Sequence, residues 1–159
     1  MNLKKKMESS LKLKISDWEL DFYSRPIIES NGKKRWELII CSTKSYKTED
    51  VFLWNKNCPA NEVNSVWLTK ALNEAISEAK KQGWEKPSIV RFWRSSMKSI
   101  IKKSLEAVSI DALVSRRTYD LFDRIEFLEK EIYPKEKGYV RGILAVSYTH
   151  LTLPTTVDV

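Results

Sequence analysis

The chain has 159 residues, enough for one domain with a substantial core, and its composition of 42% hydrophobic and 31% charged residues is typical of globular proteins. No apolar run reaches the ~18 residues of a membrane span. Two cysteines and one histidine argue against a disulfide framework, a structural zinc site and a histidine-based catalytic dyad. The formal net charge of +7 favours a polyanionic partner.

The basic excess is concentrated in two segments. Residues 1–14 carry five lysines and one glutamate, for a net charge of +4. Residues 91–117 carry seven basic and two acidic side chains, for a net charge of +5. Either segment could attract nucleic acid, but exposed lysines in a tail serve solubility equally well.

The first third of the chain predicts three strands. Apolar and polar residues alternate over 18–22, which predicts a half-buried strand. A turn at Asn31-Gly32 leads into a second strand at 35–41, the expected hairpin partner of the first. Residues 51–54 predict a third strand.

Helices and strands then alternate. The predicted elements are a helix capped by Asn61 and ended by Gly83, a strand at 88–93, a helix at 97–108, a strand at 112–114, and a helix that follows Thr118 and ends before Pro134. The order β-β-β-α-β-α-β-α predicts an α/β fold with a mixed sheet and right-handed crossovers. Ribonuclease H-like domains use this order, and a restriction-endonuclease-like fold is the alternative.

The C-terminal segment differs in character from the rest. Residues 144–156 carry no charge, although the preceding residues are charge-dense. The segment resembles a translated sequencing-adapter read-through, so we expect native sequence to end near Arg141 and His150 to carry no meaning. The expected organisation is a basic N-terminal tail at 1–16, one domain at 17–141 and a non-native tail at 142–159.

Several ordered motifs point to one family. They are Trp18-Glu-Leu-Asp-Phe-Tyr-Ser-Arg-Pro26, Lys34-Arg-Trp-Glu-Leu38, Cys58-Pro-Ala-Asn61, Ile89-Val-Arg-Phe-Trp-Arg94, Ser115-Arg-Arg-Thr-Tyr119, and Tyr133-Pro134 with Gly138-Tyr139. Together they resemble the N-terminal domain of the Tab/Atab-type RNA-binding proteins of cyanobacteria and chloroplasts. The resemblance covers about residues 17–141.

The resemblance implies an RNA-binding activator of translation of a photosystem I reaction-centre mRNA, with a role in photosystem biogenesis. It also implies a further C-terminal domain that this chain lacks, and protein partners in translation or assembly. Twenty lysines against eight arginines suit an AT-rich genome, and the start is unlike an arginine- and serine-rich transit peptide. We therefore expect a cyanobacterial cytoplasmic protein, or a chloroplast stromal one if it is plastid-targeted.

The internal basic segment is the candidate RNA site. Arg91 and Arg94 come at the end of the fourth predicted strand, Lys98 lies on the helix that follows, and Arg116 and Arg117 lie between the fifth strand and the last helix. Because carboxyl ends of parallel strands meet at one edge, these cations are expected around one crevice. The alternative for Lys98 is a solvated helix face.

The first strand adds two candidates. Tyr23 lies on its polar face and could stack an unpaired base, with Arg25 beside it. For Arg91 two interpretations stay open, an RNA contact or an ion pair with Asp21 or Glu37.

A metal-dependent ribonuclease H-like nuclease is the alternative function, with Asp21 and Glu37 as candidate ligands. However, Arg91 and Arg94 on the fourth strand would repel metal ions. We therefore expect a non-enzymatic protein without catalytic residues, metal or cofactor. A protein-binding scaffold for photosystem assembly is the third hypothesis.

Overall fold

The first strand is the centre of the molecule and is covered on both faces. Trp18, Leu20 and Phe22 point into the larger core, while Glu19 and Asp21 are buried on the opposite face. The prediction of a half-buried strand is therefore wrong for this strand, because its acidic face is packed against basic side chains and a helix instead of water.

The computed structural model describes residues 13–44 and 49–141. Its strands are β1 (Trp18–Ile28), β2 (Lys34–Ser42), β3 (Leu53–Cys58), β4 (Ile89–Phe92) and β5 (Asp111–Val114). Its α-helices are α1 (Ser65–Lys81), α2 (Lys98–Ala107) and α3 (Tyr119–Phe127), and the chain continues after α3 through a π-helical turn (Leu128–Ile132) and a 3-10 turn (Tyr133–Lys135). The predicted segment 142–159 and most of the predicted basic tail lie outside the described residues.

The described strands form one five-stranded mixed sheet in the order β3-β2-β1-β4-β5. Neighbours β1, β2 and β3 pair antiparallel, whereas β4 pairs parallel with β1 and β5 pairs parallel with β4. This topology confirms the predicted α/β class and the ribonuclease H-like arrangement, so the restriction-endonuclease-like alternative is not retained.

Helices cover the two faces of the sheet unequally. The larger core lies between one face and the helices α1 and α2, and includes Phe22, Leu72 and Ile101. The smaller core lies under α3 and includes Ile39 and Leu121. Charged side chains occupy the rest of the face under α3. None of the helices in the described ranges is both long and apolar enough to cross a membrane.

Several predicted boundaries shift, including those of β3 and α1. The third strand begins at Leu53 instead of residue 51. The cap of α1 is Asn64, whose side-chain oxygen accepts a hydrogen bond from the backbone N–H of Trp67 (2.8 Å), so the prediction of Asn61 is wrong. Asn61 lies instead within a short 3-10 turn, Ala60–Glu62, and the helix begins only after it.

Candidate nucleic-acid interface

Asp21 lies at the centre of a buried network of charges. Its side chain is 1% exposed, and each carboxylate oxygen accepts a hydrogen bond from a different arginine. Nη1 of Arg25 lies 2.9 Å from Oδ2, and Nε of Arg94 lies 2.7 Å from Oδ1. Each oxygen of the carboxylate is thus bonded to a cation, one from β1 and one from the segment that follows β4.

Arg91 connects β1 to the loop that follows β5. Its Nη1 donates to Oδ2 of Asp17 (2.8 Å), and its Nη2 donates to Oε2 of Glu19 (3.3 Å). Its Nε donates to the backbone carbonyl of Arg117 (3.0 Å). The ion-pair interpretation of Arg91 is therefore the one observed, although its partners are not the predicted Asp21 or Glu37. The parallel pairing of β1 with β4 places Glu19 opposite Arg91 and decides this choice.

Glu19 also holds the start of α3. Its Oε1 accepts a hydrogen bond from the backbone N–H of Leu121 (2.8 Å), in the first turn of the helix. Burial raises the pKa of Glu19, and the hydrogen bonds from Leu121 and Arg91 offset this effect only in part, while the charge of Asp120 adds to it. The carboxylate thus occupies the position at which a helix N-terminus would otherwise attract an anion.

Glu37 completes the network on β2. Its Oε1 accepts a hydrogen bond from the Tyr133 hydroxyl, and its Oε2 accepts one from Nδ2 of Asn55 (2.6 Å). Nε of Arg25 lies 3.5 Å from Oε1, and Nη2 of Arg25 donates to the Glu37 carbonyl (3.2 Å). Burial also raises the pKa of Tyr133, so this hydroxyl remains a donor at neutral pH. Arg25 is therefore enclosed by acceptors and is only 4% exposed.

Arg94 packs against two aromatic rings. Its guanidinium carbon lies 3.9 Å from the ring centroid of Tyr23 and 4.2 Å from that of Trp93. Trp93 in turn lies 5.8 Å from Phe122 on α3, centroid to centroid. The ring of Tyr23, predicted as a stacking platform for bases, thus has a guanidinium against it, and Arg94 is held by both an ion pair and cation–π contacts.

The remaining candidate cations are exposed. Arg116 and Arg117 lie in the loop between β5 and α3, and Lys98 is the first residue of α2. Within the described parts of the chain, their side chains form no ion pair or hydrogen bond. The loop itself is ordered by Ser115, whose Oγ accepts a hydrogen bond from the N–H of Arg117 (3.0 Å). All three lie just after the carboxyl ends of β4 and β5, as predicted.

The structure therefore divides the predicted site into two groups. Arg25, Arg91 and Arg94 are partnered with carboxylates, whereas Arg116, Arg117 and Lys98 face solvent. Sequence reasoning missed Asp17 and Glu19 as partners of Arg91, although their spacing gives a signal, since acidic residues recur at every second position from 17 to 21. It also did not single out Trp93 or Phe122 as neighbours of the site.

The family model described as RNA-binding protein Tab2/Atab2 N terminal matches residues 17–127. The chain belongs to this family. It is 35% identical over 131 residues to a chloroplastic TAB2 homologue of Arabidopsis thaliana, covering 82% of this chain and 33% of that protein. It is 37% identical over 143 residues to the Zea mays chloroplastic TAB2 homologue, covering 89% of this chain and 34% of that protein. The chain thus spans about one third of the length of these relatives.

Solved structures with a similar arrangement include two catalytic domains. The magnesium complex of the HTLV-2 integrase catalytic core domain has a TM-score of 0.48 and 15% identity. The match covers 78% of this chain and 72% of the integrase chain. The catalytic domain of the Mos1 mariner transposase has a TM-score of 0.47 and 13% identity. The match covers 94% of this chain and 73% of the transposase domain. The fold of this Tab2/Atab2 domain is assigned from its strand order and not from these similarities.

Asp21→Asn is expected to destabilise the domain by about 3–5 kcal/mol, because it removes the charge that both Arg25 and Arg94 bond and leaves the buried Arg25 with Glu37 as its remaining anionic partner among the described residues. Urea unfolding measures the change. The matched control is Asp123→Asn on the exposed side of α3, for which we expect a change within about 0.5 kcal/mol. Equal stability of the two variants would contradict the structural role of Asp21.

Glu19→Gln should alter how stability depends on pH. The folded state raises the pKa of Glu19 above its ordinary value of 4.5, so the folded chain binds the Glu19 proton more tightly than the unfolded chain does. Wild-type stability therefore falls as pH rises from the ordinary pKa to the raised one. The glutamine variant lacks this component. The unfolding free energy of the variant minus that of the wild type should therefore increase with pH and then level off. A difference independent of pH would contradict the assignment.

Proposed function

We propose that this domain binds RNA at the edge where β4 and β5 end, as part of an activator of translation of a photosystem I reaction-centre mRNA and a factor in photosystem biogenesis. The proposed location is the cytoplasm of a cyanobacterium or the chloroplast stroma. Membership of the Tab2/Atab2 family, described as RNA-binding, supports the ligand. The observation that carries the proposal is the pair Arg116 and Arg117, which are exposed and without acidic partners among the described residues.

The two exposed arginines have the chemistry for phosphate. A guanidinium donates in a fork that matches phosphate oxygens, and it also stacks on bases. Lys98, at the start of the helix that follows β4, adds a positive charge at the same edge of the sheet, since β4 and β5 pair in parallel. The N-terminus of α3 is not part of the proposed contact, because Glu19 already accepts the N–H of Leu121 there.

The arginines that pair with carboxylates hold the proposed site in position. Arg91 bonds the carbonyl of Arg117 while it is fixed by Asp17 and Glu19, so the loop that carries the exposed cations is tied to the central strand. Arg25 holds Asp21 and Glu37 together and has no surface left for RNA. We propose positioning roles for both, and a partial contact role for Arg94, whose side chain is 20% exposed.

We further propose that the domain is not a nuclease. A two-metal nuclease needs carboxylates that converge with oxygens free to bind the ions. Here both oxygens of Asp21 and both of Glu37 accept hydrogen bonds from protein groups. The described ranges also contain no group of three or more side chains placed to hold a metal ion.

The double variant Arg116→Ala, Arg117→Ala should weaken binding of an unstructured oligouridylate by about tenfold or more, because one charged hydrogen bond of about 1.5 kcal/mol already corresponds to that factor. The plot of log affinity against log salt should also become shallower by about 1.4, the value for two lost phosphate contacts on a single strand. Fluorescence anisotropy with the full chain measures both.

The matched control is Lys80→Ala, Lys81→Ala in the last turn of α1. This double variant removes the same amount of charge from exposed positions outside the proposed site. We expect both double variants to keep the wild-type melting temperature and the control to keep most of the RNA affinity. Equal losses in the two variants would show that charge alone decides binding, and would refute the site.

The full chain should leave RNA intact on incubation with magnesium, because the described residues include no group of three or more potential metal ligands placed to hold the ion. Gel electrophoresis of end-labelled RNA, with and without a chelator, checks this expectation. Magnesium-dependent cleavage that Asp21→Asn abolishes, at a temperature where this variant stays folded, would overturn it.

A further inference from the structure

We infer that the RNA is held as a single strand, with an unpaired base stacked on Tyr119 and supported by Phe122. This inference rests on the proposed RNA binding and adds the state of the ligand and the aromatic residues that read it. Tyr119 is 68% exposed and Phe122 is 39% exposed, the two positions being the first and fourth of α3. Residues three apart lie on the same side of a helix, so the two rings are neighbours on its surface.

The position of Tyr119 couples it to the proposed phosphate contacts. It follows Arg117 by two residues and begins the helix that ends the cationic loop. Within the described ranges, Tyr119 contacts no other ring and forms no hydrogen bond through its side chain. An exposed ring beside two free guanidinium groups provides both parts of a single-strand site, a stacking surface for a base and cations for its phosphate.

A row of aromatic and cationic groups supports this surface from the sheet side. The row runs from Tyr23 through Arg94 and Trp93 to Phe122. The guanidinium carbon of Arg94 lies 3.9 and 4.2 Å from the ring centroids of Tyr23 and Trp93, and the Trp93 and Phe122 centroids are 5.8 Å apart. Its inner end is covered, since Arg94 lies over the ring of Tyr23. Its outer end at Phe122 is partly open and lies about one helical turn from Tyr119. The row therefore offers stacking at α3, not at β1 where sequence reasoning placed it.

The neighbouring charge favours a nucleobase over a protein side chain as the occupant. Leu113 and Val114 at the end of β5 are also exposed, and with the two rings they could form an apolar protein contact. However, Arg116 and Arg117 lie in sequence between those strand residues and Tyr119. A protein partner would bury or crowd both charges, whereas RNA brings a phosphate with each base.

Base pairing distinguishes the inference from simple charge attraction. A stacked ring needs an unpaired base, which a duplex does not present along its length. Loss of one stacking ring costs between about fivefold and a hundredfold in affinity. The effect belongs to the base and not to the phosphate, so it should not change the dependence on salt.

The test compares Tyr119→Ala with wild type in the full chain, with three probes of equal length. The probes are oligouridylate, the same strand paired with oligoadenylate, and a strand of abasic residues. We expect a fivefold to hundredfold loss for the single strand, no loss for the duplex or the abasic strand, and an unchanged salt slope. Tyr119→Phe should keep wild-type affinity because it retains the ring.

Phe127→Ala is the matched control, since Phe127 is an exposed ring on the same helix about two turns away. It should leave all three affinities unchanged. If Tyr119→Ala binds oligouridylate as wild type does while Arg116→Ala, Arg117→Ala loses affinity, RNA binding stands and the stacking site is refuted. If Tyr119→Ala weakens the abasic strand equally, the ring acts by packing and the inference is also refuted.

Discussion

The two hydrogen bonds that Asp21 accepts from Arg25 and Arg94 are the interaction on which the second face of the sheet depends. Glu19 and Asp21 are buried on one face of β1 and Asp17 lies directly before the strand, and like charges so close would repel each other and resist burial. Burial of an ion costs several kcal/mol unless its partners are complete. The network meets this condition because each of these acidic side chains bonds an arginine.

The same arginines connect the sheet to α3. The smaller core under this helix contains few apolar residues, so it contributes less hydrophobic stabilisation than the core under α1 and α2. Polar links compensate for this difference: Glu19 accepts the N–H of Leu121, Arg91 donates to the carbonyl of Arg117, and Tyr133 donates to Glu37. The helix and the loop before it are therefore positioned by directional bonds, which fix orientation more sharply than apolar contact does.

The order of strands and helices was predictable because hydrophobic periodicity and turn residues are local signals. The partners of the arginines were not, because they depend on the register between distant strands. Only the pairing of Glu19 with Arg91 across β1 and β4 makes Glu19 the partner instead of Asp21. Likewise, two asparagines precede α1, and the 3-10 turn that makes Asn64 the cap is not apparent from residue preference.

The distinction between partnered and exposed arginines also changes the meaning of the chain's charge. Residues 91–117 carry a net charge of +5, but Arg91 is paired with Asp17 and Glu19, and Arg94 is paired with Asp21. The uncompensated charge of this segment thus lies on the β5–α3 loop and on α2, away from the buried acidic face. At the proposed site a polyanion would approach the loop that carries Arg116 and Arg117 and leads into Tyr119, while the arginines that hold this loop in place are already paired and need not move when it binds.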